Sequence, residues 1–127
     1  MKKYLNILTI LFFIIAFPVS AQEKWQEWQP TSCYENIEFR LRFVRQHGDK
    51  TVSEVQFKNN YNQLVTFNYG FTEDEEDFLT EYRKTLHPKE AGKPEFIYTK
   101  GDNFYILVDK LSFSVSGENP LPCEQKK

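Results

Sequence analysis

The chain has 127 residues, of which 18 are acidic and 16 basic, and its net charge of −2 is mildly acidic. This length is enough for one ordinary domain with a modest core and too short for two. The charges are spread along the chain without a polybasic patch, which argues against nucleic acid and anionic lipid as partners.

Residues 1–21 have the composition of a secretory signal peptide. Two lysines follow the initial Met, residues 4–17 form an almost unbroken apolar run, and small residues precede a cleavage position near Ala21. The run is too short for a stable membrane span. We therefore expect a secreted or periplasmic mature chain, residues 22–127, that forms a single domain without a membrane span.

The two cysteines, Cys33 and Cys123, both lie in the mature chain. In an oxidising compartment an even pair in a small domain predicts one disulfide. A bond that closes a loop of about ninety residues stabilises the fold by roughly 4 kcal/mol in the chain-entropy model. A redox-active pair is typically spaced Cys-x-x-Cys, so this disulfide is expected to be structural.

Alternating apolar and polar side chains predict a first group of three strands. The alternation is unbroken over 37–43 and returns at 54–58 after a turn at 46–50. It returns again at 65–71, after an Asn-rich turn at 58–63. Three successive strands joined by short turns form an antiparallel meander.

Two segments allow two interpretations each. Residues 22–32 carry Trp25 and Trp28, and they form either a first edge strand or an extended lead-in whose indoles cover one end of the core. A capping-box pattern and near-helical spacing predict one short helix near 73–86, whereas an acidic loop followed by a strand over 79–86 explains the same residues. Periodicity favours neither alternative.

The second half of the chain predicts further strands after a Pro- and Gly-containing break at 87–94. Residues 96–99 and 104–108 form a hairpin around a turn at 100–103, and 111–115 alternates again. Six or seven short strands in one domain predict an all-β fold, an antiparallel sandwich of two sheets.

This pattern, with the aromatic-rich hairpin at 96–108 and the corner at 86–90, resembles small secreted immunoglobulin-like or fibronectin-type domains over 33–115. The resemblance implies an immunoglobulin-like sandwich. The chain departs from antibody domains because both Trp residues precede Cys33 and because Cys123 follows the last strand. Resemblance in fold implies no activity.

Aromatic residues are abundant, and most are expected at the inward positions of strands, where they form the core. The exceptions that the pattern leaves for the surface are Tyr34, Tyr61, Tyr105, Trp25 and Trp28. An aromatic residue at the surface of a small domain is a candidate for contact with a partner.

Four residues are the candidate binding residues. Tyr61 with Asn60 places a rigid ring beside an adaptable amide, which is common in recognition loops. Arg40 and Arg42 lie along one strand, and guanidinium groups bind carboxylates through two hydrogen bonds. The competing interpretation is structural: a turn without a partner, and cross-strand charge pairs with Glu54.

No pattern of catalytic or metal-binding residues is present. His47 and His87 are the only imidazoles, and neither has metal-ligand spacing around it. The acidic run at 73–77 lacks the spacing of a calcium loop. Sequences typical of an activated nucleophile or of a phosphate-binding loop are missing. We expect no catalytic residue, metal or cofactor.

The leading hypothesis is a secreted or periplasmic, non-catalytic binding or accessory module that recognises a protein or glycan partner through its loops or a sheet edge. One alternative is a small cell-envelope enzyme or metal-binding protein that uses His47 or His87 with nearby carboxylates. Another is a structural subunit that assembles through its strand edges.

Overall fold

The computed structural model describes residues 24–73, 79–101 and 103–123, so the predicted signal peptide lies outside it. Over the described ranges the chain forms seven strands and no helix: β1 (Gln29–Pro30), β2 (Ile37–His47), β3 (Lys50–Asn59), β4 (Val65–Thr72), β5 (Tyr82–Leu86), β6 (Glu95–Thr99) and β7 (Tyr105–Ser112). Among these residues nothing forms a helix able to cross a bilayer.

The strands form two antiparallel sheets, one in the order β1-β2-β3-β6 and one in the order β5-β4-β7. The predicted all-β, two-sheet fold is therefore confirmed. Two predicted pairings are wrong: β4 lies in the other sheet from β3, so 37–71 is not a meander, and β6 pairs with β3 while β7 pairs with β4, so 96–108 is not a hairpin. The strand predicted over 111–115 is also wrong, because β7 already ends at Ser112. Lettered A to G along the chain, the strands group as A-B-C-F and E-D-G, whereas an immunoglobulin constant domain groups A-B-E-D and C-F-G. The immunoglobulin-like resemblance stays a prediction from the sequence pattern, and the observed strand order differs from that of antibody domains.

The structure decides between the alternatives for 73–86 wherever that segment is described. Residues 79–81 are irregular and β5 begins at Tyr82, so a helix over this part is wrong and the loop-then-strand alternative is confirmed. The acidic residues 74–77 lie outside the described ranges. The strand forms because β5 pairs with β4 over its whole length, from Val65 opposite Leu86 onwards. This partner is not visible in the local periodicity.

The core lies between the two sheets and is formed by alternate residues of their facing strands. The Phe57 ring of the first sheet lies 5.5 Å from the Phe67 ring and 5.1 Å from the Tyr69 ring of the second, centre to centre. The buried core residues are Tyr34, Ile37, Val55, Phe57, Val65, Phe67, Tyr69, Leu86, Ile97, Val108 and Leu111. The two layers are therefore packed face to face.

The two ends of the domain are joined beside β7. Cys33 and Cys123 form the predicted disulfide, which links residues 90 positions apart. Next to it the Tyr34 hydroxyl donates a hydrogen bond to the Leu121 carbonyl (2.8 Å) and accepts one from the Leu111 N–H (3.2 Å). The Leu121 N–H also donates to the Leu111 carbonyl. The C-terminal segment is thereby fixed along the edge of β7.

Candidate functional site

The outer face of the four-stranded sheet is the candidate site. Phe39 and Leu41 of β2 pack against the core, so the residues that alternate with them, Arg40 and Arg42, lie on the opposite side. The strand register places the outward residues of β3 and β6 beside them. We call this surface the Trp–Arg face, and its members are Trp25, Trp28, Glu38, Arg40, Arg42, Arg45, Glu54, Gln56, Lys58, Phe96 and Tyr98.

Indoles and cations alternate along one side of this face. The Arg40 guanidinium carbon lies 4.6 Å from the centre of the Trp25 ring and 4.5 Å from the centre of the Trp28 ring. Arg42 stacks on Trp25 at 4.5 Å, and the Lys58 ammonium lies 5.5 Å from the Trp28 ring. Each such contact is worth about 0.5–1 kcal/mol at an exposed site. The series restrains both arginine side chains.

The segment before β2 brings the two indoles to this position. The Gln26 N–H donates to the Leu41 carbonyl at 2.9 Å, and Pro30 of β1 lies opposite Glu38 of β2. The segment therefore runs along the edge of β2, and its short edge strand confirms one of the two interpretations of 22–32. The other was wrong in placing the indoles over the core, because they stack on arginines of the outer face.

The two arginines differ in their polar partners. Arg42 forms an ion pair with Glu54, to which its Nε also donates at 3.0 Å. Arg40 donates from Nε to the Gln56 side-chain oxygen at 2.8 Å, and Gln56 in turn donates to the Gly92 carbonyl. No described carboxylate forms an ion pair with Arg40. Arg42 is thus neutralised within the protein, whereas the Arg40 charge is not.

Two exposed aromatic rings lie on the far side of the face, on β6. Phe96 is 57% exposed and Tyr98 is 51% exposed. The register places Phe96 opposite Glu54, and Tyr98 opposite Val52, which is itself fully buried. β6 pairs with β3 alone, so its other edge is open in the described structure. An aromatic margin therefore borders the cationic part of the face.

The face is positively charged although the chain is acidic. It carries four cationic side chains, Arg40, Arg42, Arg45 and Lys58, and two acidic ones, Glu38 and Glu54. The whole chain has a net charge of −2. Three of the cations lie along β2, and the pairing of β2 with β3 adds Lys58 opposite Glu38. Such a surface attracts anionic ligands.

The outer face of the other sheet differs, because the chain itself lies on it. A side chain at Gly70 of β4 would meet the Leu79 carbonyl oxygen, so the segment before β5 crosses this face in direct contact. The Thr80 hydroxyl then donates to Asp109 of β7 at 3.0 Å. This part of the second sheet is not available to a partner.

The predicted binding residues of the turn after β3 lie apart from the two arginines. The Tyr61 ring packs against the core and lies 5.2 Å from the Phe113 ring, centre to centre. The Asn60 carbonyl accepts a hydrogen bond from the Lys89 ammonium, and its N–H donates to the Asn36 carbonyl. Asn60 also lines a polar cleft near Glu38, which places it at one end of the Trp–Arg face. The structure therefore groups Arg40 and Arg42, and it separates Tyr61 from them.

The aromatic pattern of the surface differs from the sequence expectation. Tyr34 is buried, and its hydroxyl fixes the C-terminal segment. Phe96 and Tyr98 are exposed, although a strand of the predicted hairpin carries them. Their alternation with buried Ile97 was the signal that could have identified them, because only one of the two sets can face the core.

The histidines do not form a metal or acid–base site in the described part of the chain. His47 is exposed at the end of β2, where its ring lies 6.3 Å from the Tyr98 ring, centre to centre. His87 begins a turn in which its N–H donates to the Glu90 carboxylate. Within the described ranges no three His, Cys, Asp or Glu residues are close enough to hold a metal ion.

Two carboxylates with strong hydrogen bonds are structural. Glu73 accepts from the backbone N–H of Lys100 and of the next residue, and these bonds lower the pKa of its carboxyl group. Glu95 accepts from the Tyr69 hydroxyl at 2.7 Å and pairs with the Lys84 ammonium. Burial, together with this hydrogen bond to Glu95, raises the pKa of Tyr69. Glu73 connects the end of β4 to the turn after β6, and Glu95 connects β6 to the other sheet.

Comparison with known proteins found no matching family model, no matching curated protein and no matching solved structure. The function of the chain therefore has to be argued from its own geometry. The Trp–Arg face brings together cations stacked on indoles and exposed aromatic rings.

Proposed function

We propose that this chain is an exported, non-catalytic binding module that contacts its partner through the Trp–Arg face. The observation that carries the proposal is the stacking of Arg40 between Trp25 and Trp28, with no carboxylate of the described chain paired to it. A charged group that is already ordered loses little side-chain entropy on binding. A partner that supplies an anion would complete its hydrogen bonds.

The exposed rings of β6 support the same surface. Phe96 and Tyr98 are both more than half exposed, and they lie on the face that carries Arg40. Aromatic residues and arginine are enriched in the contact surfaces of proteins. A partner that spans the face would cover these rings while its anionic groups reach the arginines, and it would lie beside the open edge of β6.

Export is part of the proposal and is supported by the N-terminal pattern and by the disulfide. Disulfides persist in oxidising compartments, and the Cys33–Cys123 bond joins the two ends of the domain. Together with the pattern of a signal peptide, this bond favours a secreted or periplasmic location, with cleavage near Ala21.

The test is a comparison of three oxidised proteins on arrays of envelope proteins and glycans. The face variant carries Arg40→Glu with Lys58→Glu. The matched control carries the same charge changes on the other sheet, Arg83→Glu with Lys110→Glu. We expect specific ligands of the wild-type protein to be retained by the control and lost by the face variant. Equal binding by all three proteins, or no specific binding by the wild type, would refute the proposal.

A further inference from the structure

We propose that the partner is a carboxylate-bearing polysaccharide, and that the Arg40 guanidinium binds one of its carboxylates through two hydrogen bonds. This inference rests on the proposed function and names the ligand class of the same face.

Arg40 is ordered for a carboxylate and lacks one. The two indoles lie within 4.6 Å of its guanidinium carbon, and Gln56 accepts from Nε. The terminal N–H groups of Arg40 are left for a ligand, and their planar fork matches the two oxygens of a carboxylate. Arg42 shows the completed arrangement inside the protein, because Glu54 already forms an ion pair with it. A ligand carboxylate at Arg40 would reproduce that pair.

The charge of the face complements an anionic chain. Four cationic and two acidic side chains lie on it, while the chain as a whole has a net charge of −2. A ligand with one negative charge needs only Arg40 as its cationic partner. A chain with repeating negative charges is also attracted by Lys58 and Arg45, which lie on either side of Arg40. The distribution therefore favours a polymer of acidic units.

The arrangement of the face favours a glycan over a protein partner. The centre of a protein interface is typically depleted of glutamate and lysine, although arginine is enriched there. Here the centre consists of arginine, glutamine and glutamate side chains, and the exposed rings of Phe96 and Tyr98 lie at the margin. β6 is two strand spacings from β2, about 10 Å. A short run of sugar rings spans that distance, with C–H faces for the aromatic rings and carboxylates for Arg40.

The experiment measures Kd by calorimetry for the oxidised protein with three uronate oligosaccharides: oligogalacturonate, oligomannuronate and hyaluronan fragments. A neutral glucan of the same length, poly-L-glutamate and a single-stranded DNA oligonucleotide are measured in parallel. We expect at least one uronate oligosaccharide to bind, the neutral glucan to show no binding, and both poly-L-glutamate and DNA to bind at least about tenfold more weakly.

Four variants test the role of the residues. Arg40→Gln should weaken uronate binding at least about tenfold, the range for hydrogen bonds to a charged group. Arg40→Lys keeps the charge but not the fork, so a loss of similar size is expected. Phe96→Ser changes an exposed ring and should also weaken binding. Arg83→Gln makes the same charge change as Arg40→Gln on the other sheet and should leave the affinity unchanged.

The outcomes separate this inference from the proposed function. If no uronate oligosaccharide binds, or if poly-L-glutamate or DNA binds as tightly as the uronates, the polysaccharide assignment is overturned. A ligand on the arrays whose binding is lost only by the face variant would still support the binding module. An equal loss with Arg83→Gln and Arg40→Gln would show non-specific charge attraction and overturn the role of Arg40. Unfolding curves of each variant establish that it is folded. Phe96→Ser tests the binding role of the face without changing the stacked indoles and cations.

Discussion

Tyr34 is predicted to fix the C-terminal segment of the domain through its hydroxyl group. That hydroxyl is buried, donates to the Leu121 carbonyl at 2.8 Å and accepts from the Leu111 N–H at 3.2 Å. Tyr34→Phe removes both hydrogen bonds without changing the ring. It leaves a buried N–H of β7 without this acceptor, so the change tests a polar contact rather than core packing.

The expected loss in the free energy of unfolding is about 1–3 kcal/mol, the cost of leaving a buried donor unsatisfied. For a domain of this size, each 1 kcal/mol corresponds to a change in Tm of about 4–8 °C. The disulfide stays closed in the variant, so the loss measures the hydrogen bonds alone. Amide hydrogen exchange at Leu121 should also become faster, because local opening of the C-terminal segment requires less free energy.

The assay is urea unfolding of the oxidised proteins, with Tyr98→Phe as the matched control. Tyr98 is half exposed, and its hydroxyl has no hydrogen-bond partner among the described residues. Its substitution should therefore change the free energy of unfolding by less than about 0.5 kcal/mol. If Tyr34→Phe is as stable as Tyr98→Phe, and if exchange at Leu121 is unchanged, the bridging role assigned to Tyr34 is wrong.

Three further substitutions test other contacts by urea unfolding. Replacing Cys33 and Cys123 by Ser should lower the free energy of unfolding by about 4 kcal/mol, the chain-entropy value for a loop of this length, and a loss below about 1 kcal/mol would contradict a structural disulfide. Glu73→Gln should destabilise at neutral pH. Because the folded state lowers the pKa of Glu73, the stability that its carboxylate contributes is present above the unfolded pKa and is lost as the pH falls through the folded pKa. The free energies of unfolding of the wild type and the variant should therefore converge in acid. A difference in stability that does not depend on pH would exclude this role. Gly70→Ala should cost about 1–3 kcal/mol, since its new methyl group meets the Leu79 carbonyl, and wild-type stability would show that this segment does not lie on β4.

The Trp–Arg face shows why the candidate site was only partly predictable. Arg40 and Arg42 were identified because a strand sorts alternate residues onto two faces. Trp25 and Trp28 belong to the same surface, but their position depends on how the preceding segment pairs with β2. Tyr61 was chosen for its local context, yet its ring packs against the core, because the turn is folded onto the neighbouring layer.

The sequence by itself determined the local properties of this protein. A two-residue period is typical of a half-buried strand, so β2, β3 and β4 could be located without any knowledge of their partners, and the apolar run at 104–108 located β7. With two cysteines, only one intramolecular disulfide is possible. The all-β class follows from these features, because strands with one apolar face must be stacked to bury it.

Only the tertiary structure decided which strands are neighbours and which side chains meet. The order of the two sheets, the strand at β5 and the indoles on the outer face depend on pairings between segments far apart in the chain. Many pairings satisfy the same alternation, and the free-energy differences between them come from the packing of the whole core. For that reason the arginines of the positive face could be identified in the sequence of β2, whereas the addition of Trp25, Trp28 and Lys58 to the same face depends on pairings that no local stretch of sequence contains.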